Sequence, residues 1–124
     1  MARTGLDGPF KLNYNEINLV VSQGHCGVFA LGEINADRRF AISFVGAGYS
    51  DVRRALMDRI GTANMFKLQA GMTPHTTFVK LCEMFHTFHP SGNFVHPERP
   101  EGTTYQCPYC SAPEHRIRRV AVYR

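Results

Sequence analysis

The clearest pattern in the chain is a pair of apolar runs separated by a short polar turn. Residues 27–34 and residues 40–45 contain β-branched and aromatic side chains, and residues 35–39 between them are mostly polar. Runs of this length joined by a short polar stretch are typical of neighbouring antiparallel strands. The pattern therefore predicts a β-hairpin.

Two amphipathic helices and a third strand are predicted after the hairpin. Ser50 is suited to cap a helix that runs to Ile60, because Gly61 follows it as a stop signal. Residues 65–70 predict a strand, and Thr73 followed by Pro74 predicts the start of a second helix. Both helices have an apolar stripe suited to packing on a sheet, formed by Val52, Ala55, Leu56 and Ile60 in the first and by Phe78, Leu81, Cys82, Phe85 and Phe88 in the second.

The two ends of the chain have less regular patterns. Residues 1–14 are Gly-rich and polar, which predicts a flexible arm, and the apolar residues 17–21 predict a short strand. Prolines at positions 90, 97, 100, 108 and 113 exclude long elements until residues 117–123, which predict an edge strand with a basic face. The predicted fold is α+β, a small three-stranded antiparallel sheet flanked by helices in a single domain of residues 15–124.

Composition adds a mild positive charge to this picture. The 124 residues have a formal net charge of +4, and four arginines crowd the C-terminal end. This balance permits binding to DNA or RNA without requiring it, and it does not identify a protein partner. Because no long apolar run predicts a signal peptide or a membrane span, we expect a cytoplasmic protein with no membrane partner.

Four residues have the spacing of a zinc site. Cys107 and Cys110 form a Cys-x-x-Cys pair, and Cys82 and His86 lie four residues apart on one face of the second predicted helix. Thiolate and imidazole are the ligands of structural zinc sites. We predict that zinc bound by these four residues pins the Pro-rich C-terminal segment to the helix, which gives a zinc-binding part spanning residues 82–124.

Other interpretations of the same residues stay open. His89, about one helical turn beyond His86, is an alternative ligand to it, and His96, further along the chain, is another. The Cys-x-x-Cys pair can also be a redox pair or a disulfide, although the prolines and glycines around it do not predict the helix that a thioredoxin-like pair needs. The thiols can also be unligated, and Cys26 is expected to be a small buried thiol outside the site.

Two short motifs on the predicted hairpin resemble a known family. Gly27-Val28-Phe29 on the first strand and Phe44-Val45-Gly46 on the second, followed by a helix, resemble the two motifs of the GIY-YIG nuclease superfamily. Glu83 matches the family's metal-binding glutamate, and Asn93 matches its downstream asparagine. The resemblance covers about residues 26–95. It implies a three-stranded antiparallel sheet flanked by helices, with Mg²⁺ or Mn²⁺ at Glu83.

The segment after this region extends the likeness. Residues 93–103, which run into the Cys-x-x-Cys pair, are similar to a bacterial and phage branch of small GIY-YIG-like proteins with a zinc-binding end. In such an arrangement we expect Glu83 to point away from the zinc ligands and into the nuclease cleft.

The chain departs from the family at the positions that carry the chemistry. Active members have a tyrosine in each motif, and here Phe29 and Phe44 stand in those positions. A phenyl ring cannot position or deprotonate the attacking water. Tyr49, just beyond the second motif, is the candidate to restore a hydroxyl.

The family's phosphate-binding arginine has two candidates in this chain. Counting from Gly46 selects Arg54, but Arg54 lies opposite the apolar stripe of its helix. Helical phase instead puts Ala55 in the arginine position, and Arg59 lies one turn further on the same side.

The sequence thus supports two hypotheses of different classes. The first is a GIY-YIG-like zinc-containing domain that is a weak or degenerate divalent-metal-dependent nuclease. Its candidate catalytic residues are Glu83, Arg54, Arg59, Tyr49 and Asn93. The alternative is a non-catalytic, zinc-stabilised module that binds nucleic acid or protein.

Overall fold

Four strands and three helices make up the part of the chain that the structure, a computed structural model, describes, which is residues 5–110. In chain order they are β1 (Asp7–Lys11), α1 (Tyr14–Val20), β2 (Gly27–Ile34), β3 (Phe40–Gly48), α2 (Val52–Met57), β4 (Met65–Ala70) and α3 (Pro74–Phe88). The predicted strand at 117–123 lies outside the described residues.

All four strands form one antiparallel sheet in the order β1-β4-β2-β3. The predicted α+β class, the hairpin of β2 with β3 and the strand β4 are confirmed. The predicted number of three strands is wrong, because residues 7–11 of the N-terminal arm pair with β4. Pro9 argues against a strand in the sequence, but a proline is tolerated on an edge strand such as β1.

The prediction of a strand at residues 17–21 is also wrong, since these residues belong largely to α1. In a strand, Ile17, Leu19 and Val21 would share one face. Ile17 and Val21 are buried while Leu19 is 82% exposed, which is the four-residue period of a helix. The Asn13 side chain caps the helix by accepting a hydrogen bond from the N–H of Glu16 at 2.8 Å.

The helix after the hairpin is shorter than the sequence predicts. The N-cap of α2 is Asp51 rather than Ser50, and its carboxylate also accepts a hydrogen bond from the N–H of Gly24 at 3.2 Å. Val52 and Leu56 are buried as predicted, but Ile60 lies beyond the helix and is 41% exposed.

The longest described helix, α3, starts as the sequence predicts. Thr73 is its N-cap and forms a capping box with Thr76, and Pro74 occupies the first turn. Its C-cap, His89, has a left-handed backbone with φ of 46°, and the chain leaves the helix there. Among the described helices, none has the length and apolar character needed to cross a membrane.

The two faces of the sheet have separate cores. Phe29, Leu31 and Phe66 pack with residues of α1 and α2 on one face. Val28, Ala30 and Val45 pack with Leu81 and Met84 of α3 on the other. The sheet is therefore the middle layer between helices, and the outer edge of β3 borders both sides.

Candidate metal centre and adjoining cleft

Four potential ligands meet where the segment after α3 returns to the helix. One donor atom from each lies within 4.8 Å of all the others, and the set consists of His86, His96, Cys107 and Cys110. Three of these are predicted ligands, and His96 is one of the two reserve histidines. The arrangement is compatible with zinc.

The distances inside this cluster match tetrahedral coordination. His86 Nε2 is 3.2 Å from Cys110 Sγ and 3.4 Å from Cys107 Sγ. Zinc bonds of about 2.0–2.1 Å to nitrogen and about 2.3 Å to sulfur put such atoms about 3.5 Å apart at tetrahedral angles. One ion can therefore contact these three atoms with little movement.

The ring of His96 is oriented for ligation. Its Nδ1 lies 2.7 Å from the carbonyl oxygen of Pro97, and because a carbonyl only accepts, Nδ1 carries the proton. The lone pair of a neutral imidazole is then on Nε2, which is buried. A carbonyl that fixes the tautomer in this way is a common outer partner of metal-binding histidines.

Cys82, the remaining predicted ligand, lies beside this four-residue set rather than within it. It is fully buried in one cluster with Phe78 and Cys107. Burial raises the pKa of its thiol, and a hydrogen bond with Cys107 and the nearby thiols raise it further. Cys82 therefore lies beside a member of the four-residue set, whose fourth member is His96.

The two histidines and the two cysteines come from different kinds of local structure. His86 lies in the last turn of α3, His96 in the irregular segment that follows, and the Cys-x-x-Cys pair in a turn in which the N–H of Cys110 bonds the carbonyl of Cys107 at 3.3 Å. His89, the other reserve ligand, is exposed at the C-cap of α3. All four cysteines lie within residues 5–110, and none of them forms a disulfide there; Cys26 is half-buried, 3.1 Å from the Thr77 hydroxyl.

A cleft of about 640 Å³ borders this cluster along the outer edge of β3. Phe29 and Phe44 of the hairpin line it, together with Ala55, Arg59 and residues 92–98. His96 is part of this last wall, so the cleft and the metal-binding set share a residue. The volume is in the range of ligand pockets.

The two candidate arginines have different surroundings. The guanidinium carbon of Arg59 lies 3.9 Å from the centroid of the Phe44 ring, at the cleft. Arg54 is exposed and is not one of the lining residues, and its Nε lies 3.9 Å from Oδ1 of Asp58, which does line the cleft. Of the two candidates, Arg59 is therefore the one that lines the cleft, one turn beyond Ala55, which also lines it.

The candidate acid, base and hydroxyl groups do not converge on this cleft. Glu83 faces Lys80, with 3.3 Å between carboxylate and ammonium, and is not one of the residues that line the cleft. The pKa of Tyr109 is raised mainly by desolvation and next by the negative charge of Glu83. Glu83 therefore lies toward the turn that contains Cys107 and Cys110. Tyr49 packs against the Phe78–Cys82 cluster instead.

Asn93 has a structural contact that the sequence does not reveal. Its Oδ1 accepts a hydrogen bond from the N–H of Val45 at 2.8 Å, and its Nδ2 donates to the carbonyl of Val45 at 3.0 Å. Next to it, the N–H of Gly92 donates to the carbonyl of Ser43 at 2.6 Å. Asn93 therefore attaches the segment after α3 to the edge of β3.

The sequence also does not identify two exposed apolar residues at the cleft. Phe94 is 93% exposed and Val95 is 75% exposed, and both line the cleft. They lie between the Asn93 attachment and His96 of the metal-binding set. Apolar residues in an irregular segment predict burial about as readily as exposure, so no sequence signal distinguishes them.

Comparison of the chain with protein-family models, with curated proteins and with solved structures finds no match.

Proposed function

We propose that this protein is a GIY-YIG-like, zinc-stabilised binding module rather than an efficient nuclease. The observation that supports it most directly is the mutual proximity of His86, His96, Cys107 and Cys110, whose donor atoms lie within 4.8 Å of one another. A set of two thiolates and two imidazoles is a usual composition for structural zinc and fills a tetrahedral shell completely. Such an ion has no open position for a substrate.

The zinc ion acts as a fastener for the segment after α3. His86 is on the helix, whereas the other three ligands lie 8 to 22 residues beyond its last residue, Phe88. An irregular stretch of this length needs a constraint to stay ordered in a compact domain. Zinc bound to all four residues supplies that constraint.

The contents of the cleft favour binding over cleavage. Phe29 and Phe44 offer no hydroxyl, Tyr49 packs elsewhere, and Glu83 is paired with Lys80 outside the lining of the cleft. A divalent ion held by Glu83 would therefore lie outside the lining of this cleft. Arg59 is the cation that lines the cleft, together with the acidic residues Asp58 and Glu98, and the formal net charge of +4 permits binding of a nucleic acid.

Metal analysis tests the zinc site. Protein purified without added metal is expected to contain about one zinc per chain. Cys107→Ser, Cys110→Ser and His96→Ala are expected to lose it, whereas His89→Ala and Cys26→Ser serve as matched controls that keep it. A folded wild-type protein without metal would refute the zinc site.

Two variants, Cys82→Ser and His96→Ala, decide which of these two residues is the fourth ligand. Cobalt substitution reports the number of thiolates through the ligand-to-metal charge-transfer absorption. If His96 is the ligand, Cys82→Ser leaves this absorption unchanged and His96→Ala alters it. The reverse result would restore Cys82 to the site.

Binding and cleavage assays test the function of the cleft. We expect salt-dependent binding of labelled DNA or RNA that is weakened by Arg59→Ala and not by Arg54→Ala. We expect no cleavage of plasmid with Mn²⁺ beyond that of Glu83→Ala. Cleavage by the wild type that Glu83→Ala abolishes would establish the nuclease instead.

A further inference from the structure

The exposed pair Phe94–Val95 is held in place at both of its ends. On one side, Asn93 makes two hydrogen bonds to the backbone of Val45, at 2.8 and 3.0 Å. On the other side, His96 belongs to the metal-binding set, and its ring contacts Phe85 edge-on at 5.1 Å between centroids. A short chain fixed at both ends cannot easily turn the Phe94 ring inward.

This exposure is unusual for such a large apolar side chain. With 93% of its surface accessible, Phe94 loses nearly all the free energy that burial of a phenylalanine provides, on the order of 1.5–3 kcal/mol. Phe94 lines the same cleft as Arg59 and Phe44. An aromatic ring held out beside a cation is therefore available to a planar, negatively charged ligand.

The charged residues that line the cleft are one cation, Arg59, and two acids, Asp58 and Glu98. Arg59 has its guanidinium over the Phe44 ring, and within residues 5–110 its side chain forms no ion pair. Of the two acids, Asp58 lies 3.9 Å from Nε of Arg54, which offsets part of its charge. Proteins that bind single-stranded nucleic acid combine these two features, a cation for the phosphate and an aromatic ring on which an unpaired base stacks.

We propose that Phe94 is a base-stacking platform for single-stranded nucleic acid, with the phosphate on Arg59, and that the zinc site positions this platform through His96. This inference rests on the proposed function and specifies the ligand of the same cleft. A duplex has no unpaired base to offer Phe94, so the module distinguishes single strands from duplexes. Removal of the metal releases one of the two attachments and weakens binding to single strands.

Binding of fluorescently labelled oligothymidylate and of a blunt-ended DNA duplex to the zinc-loaded full chain tests the proposal. Phe94→Ala is expected to weaken binding of the single strand by about fivefold or more, from the stacking contribution of one base. It leaves binding of the duplex unchanged. Phe94→Trp retains binding, and Leu19→Ala, which removes a similarly exposed apolar side chain on α1, has no effect.

Zinc removal or His96→Ala should weaken binding of the single strand, as Phe94→Ala does. When either is combined with Phe94→Ala, binding should weaken no further. If Phe94→Ala binds the single strand as the wild type does while Arg59→Ala does not, the stacking platform is refuted and the proposed binding module stands. If the zinc-loaded wild type binds no single strand at low salt, both the platform and the nucleic-acid partner are refuted. The metal content then reports separately on the zinc site.

Discussion

Gly46 is a residue whose identity is dictated by the two phenylalanines of the hairpin motifs. A Cβ built on Gly46 would lie 2.7 Å from Cζ of Phe29 and 2.9 Å from Cε2 of Phe44. Phe29 is the cross-strand partner of Gly46, so its ring lies over the glycine rather than beside it. The glycine is required here by space and not by backbone conformation.

We expect Gly46→Ala to lower the free energy of unfolding by about 1–3 kcal/mol, because the added methyl overpacks the site. Urea denaturation measures this change. In the double variant with Phe29→Leu, the smaller side chain makes room, so the combined loss should be less than the sum of the single losses. Strict additivity would show that the ring does not cause the strain.

Tyr49 provides a second residue-scale test, which depends on pH. Its hydroxyl is buried and has no hydrogen-bond partner among the described residues, and desolvation raises its pKa above the ordinary value of 10.0. Because the folded state holds the proton more tightly than the unfolded state, this group's contribution to stability is complete below about pH 10 and is lost as the pH rises further.

Tyr49→Phe removes both the unpaired hydroxyl and its ionisation. We expect the variant to be at least as stable as the wild type at neutral pH, by up to about 1 kcal/mol, and to lose less stability above about pH 10. Tyr14→Phe, at an exposed position, is the matched control and should follow the wild type. If Tyr49→Phe is destabilising at neutral pH, the hydroxyl has a partner.

At the scale of secondary-structure elements, local signals explain which predictions succeed. A polar turn marks the hairpin in the sequence, and a Thr-Pro cap marks both the start of α3 and the end of the segment that contains β4. β1 contains a glycine and a proline and becomes a strand only because β4 is there to pair with it. α1 is seven residues long, too short for its period to stand out from a strand-like apolar run.

The candidate site was predictable to the extent that it lies on regular elements. His86 lies on a helix that the sequence predicts, and the Cys-x-x-Cys pair is recognisable from its spacing alone. The choice of His96 over Cys82 depends on the course of the irregular segment after Pro90, which no periodicity describes. The same holds for the attachment of Asn93 to β3, a contact across 48 residues of sequence.

Asn93 gives a prediction at this scale, because it joins an irregular segment to a strand. Asn93→Ala leaves the N–H and carbonyl of Val45 without the side-chain partners they now have, at a cost of about 1–3 kcal/mol. Asn93→Asp retains the acceptor for the N–H but sets a carboxylate oxygen against the carbonyl. Both variants should be less stable to urea and should bind zinc more weakly, since His96 is three residues away.

Ser91→Ala is the control for these variants, because Ser91 is an exposed neighbour in the same segment. It should match the wild type in both measurements. Unchanged zinc affinity in Asn93→Ala would show that the attachment to β3 and the metal site act independently.

At the scale of the whole molecule, the domain has two sheet-based cores and a third cluster that surrounds the metal-binding set. The first two cores contain no metal-binding residue of that set. The third cluster joins Phe78 and Cys82 of α3 to Cys107 and nearby tyrosines. Loss of the metal should therefore affect one region before the others.

We expect chelation of the metal to increase amide hydrogen exchange and proteolysis in residues 90–110 while the amides of β2 and β4 stay protected. The melting temperature should fall, because bound metal stabilises the folded state by mass action. His96→Ala should resemble the chelated protein even in the presence of zinc. Global loss of protection on chelation would show that the sheet itself depends on the metal.

The contacts of residues 92 and 93 with β3 have a further consequence for how the protein behaves in concentrated solution. β3 is an edge strand, and three of its outward backbone groups, the carbonyls of Ser43 and Val45 and the N–H of Val45, are already bonded by Gly92 and Asn93. A strand from another molecule therefore cannot extend the sheet there without displacing them. Asn93 thus protects the protein against edge-to-edge aggregation.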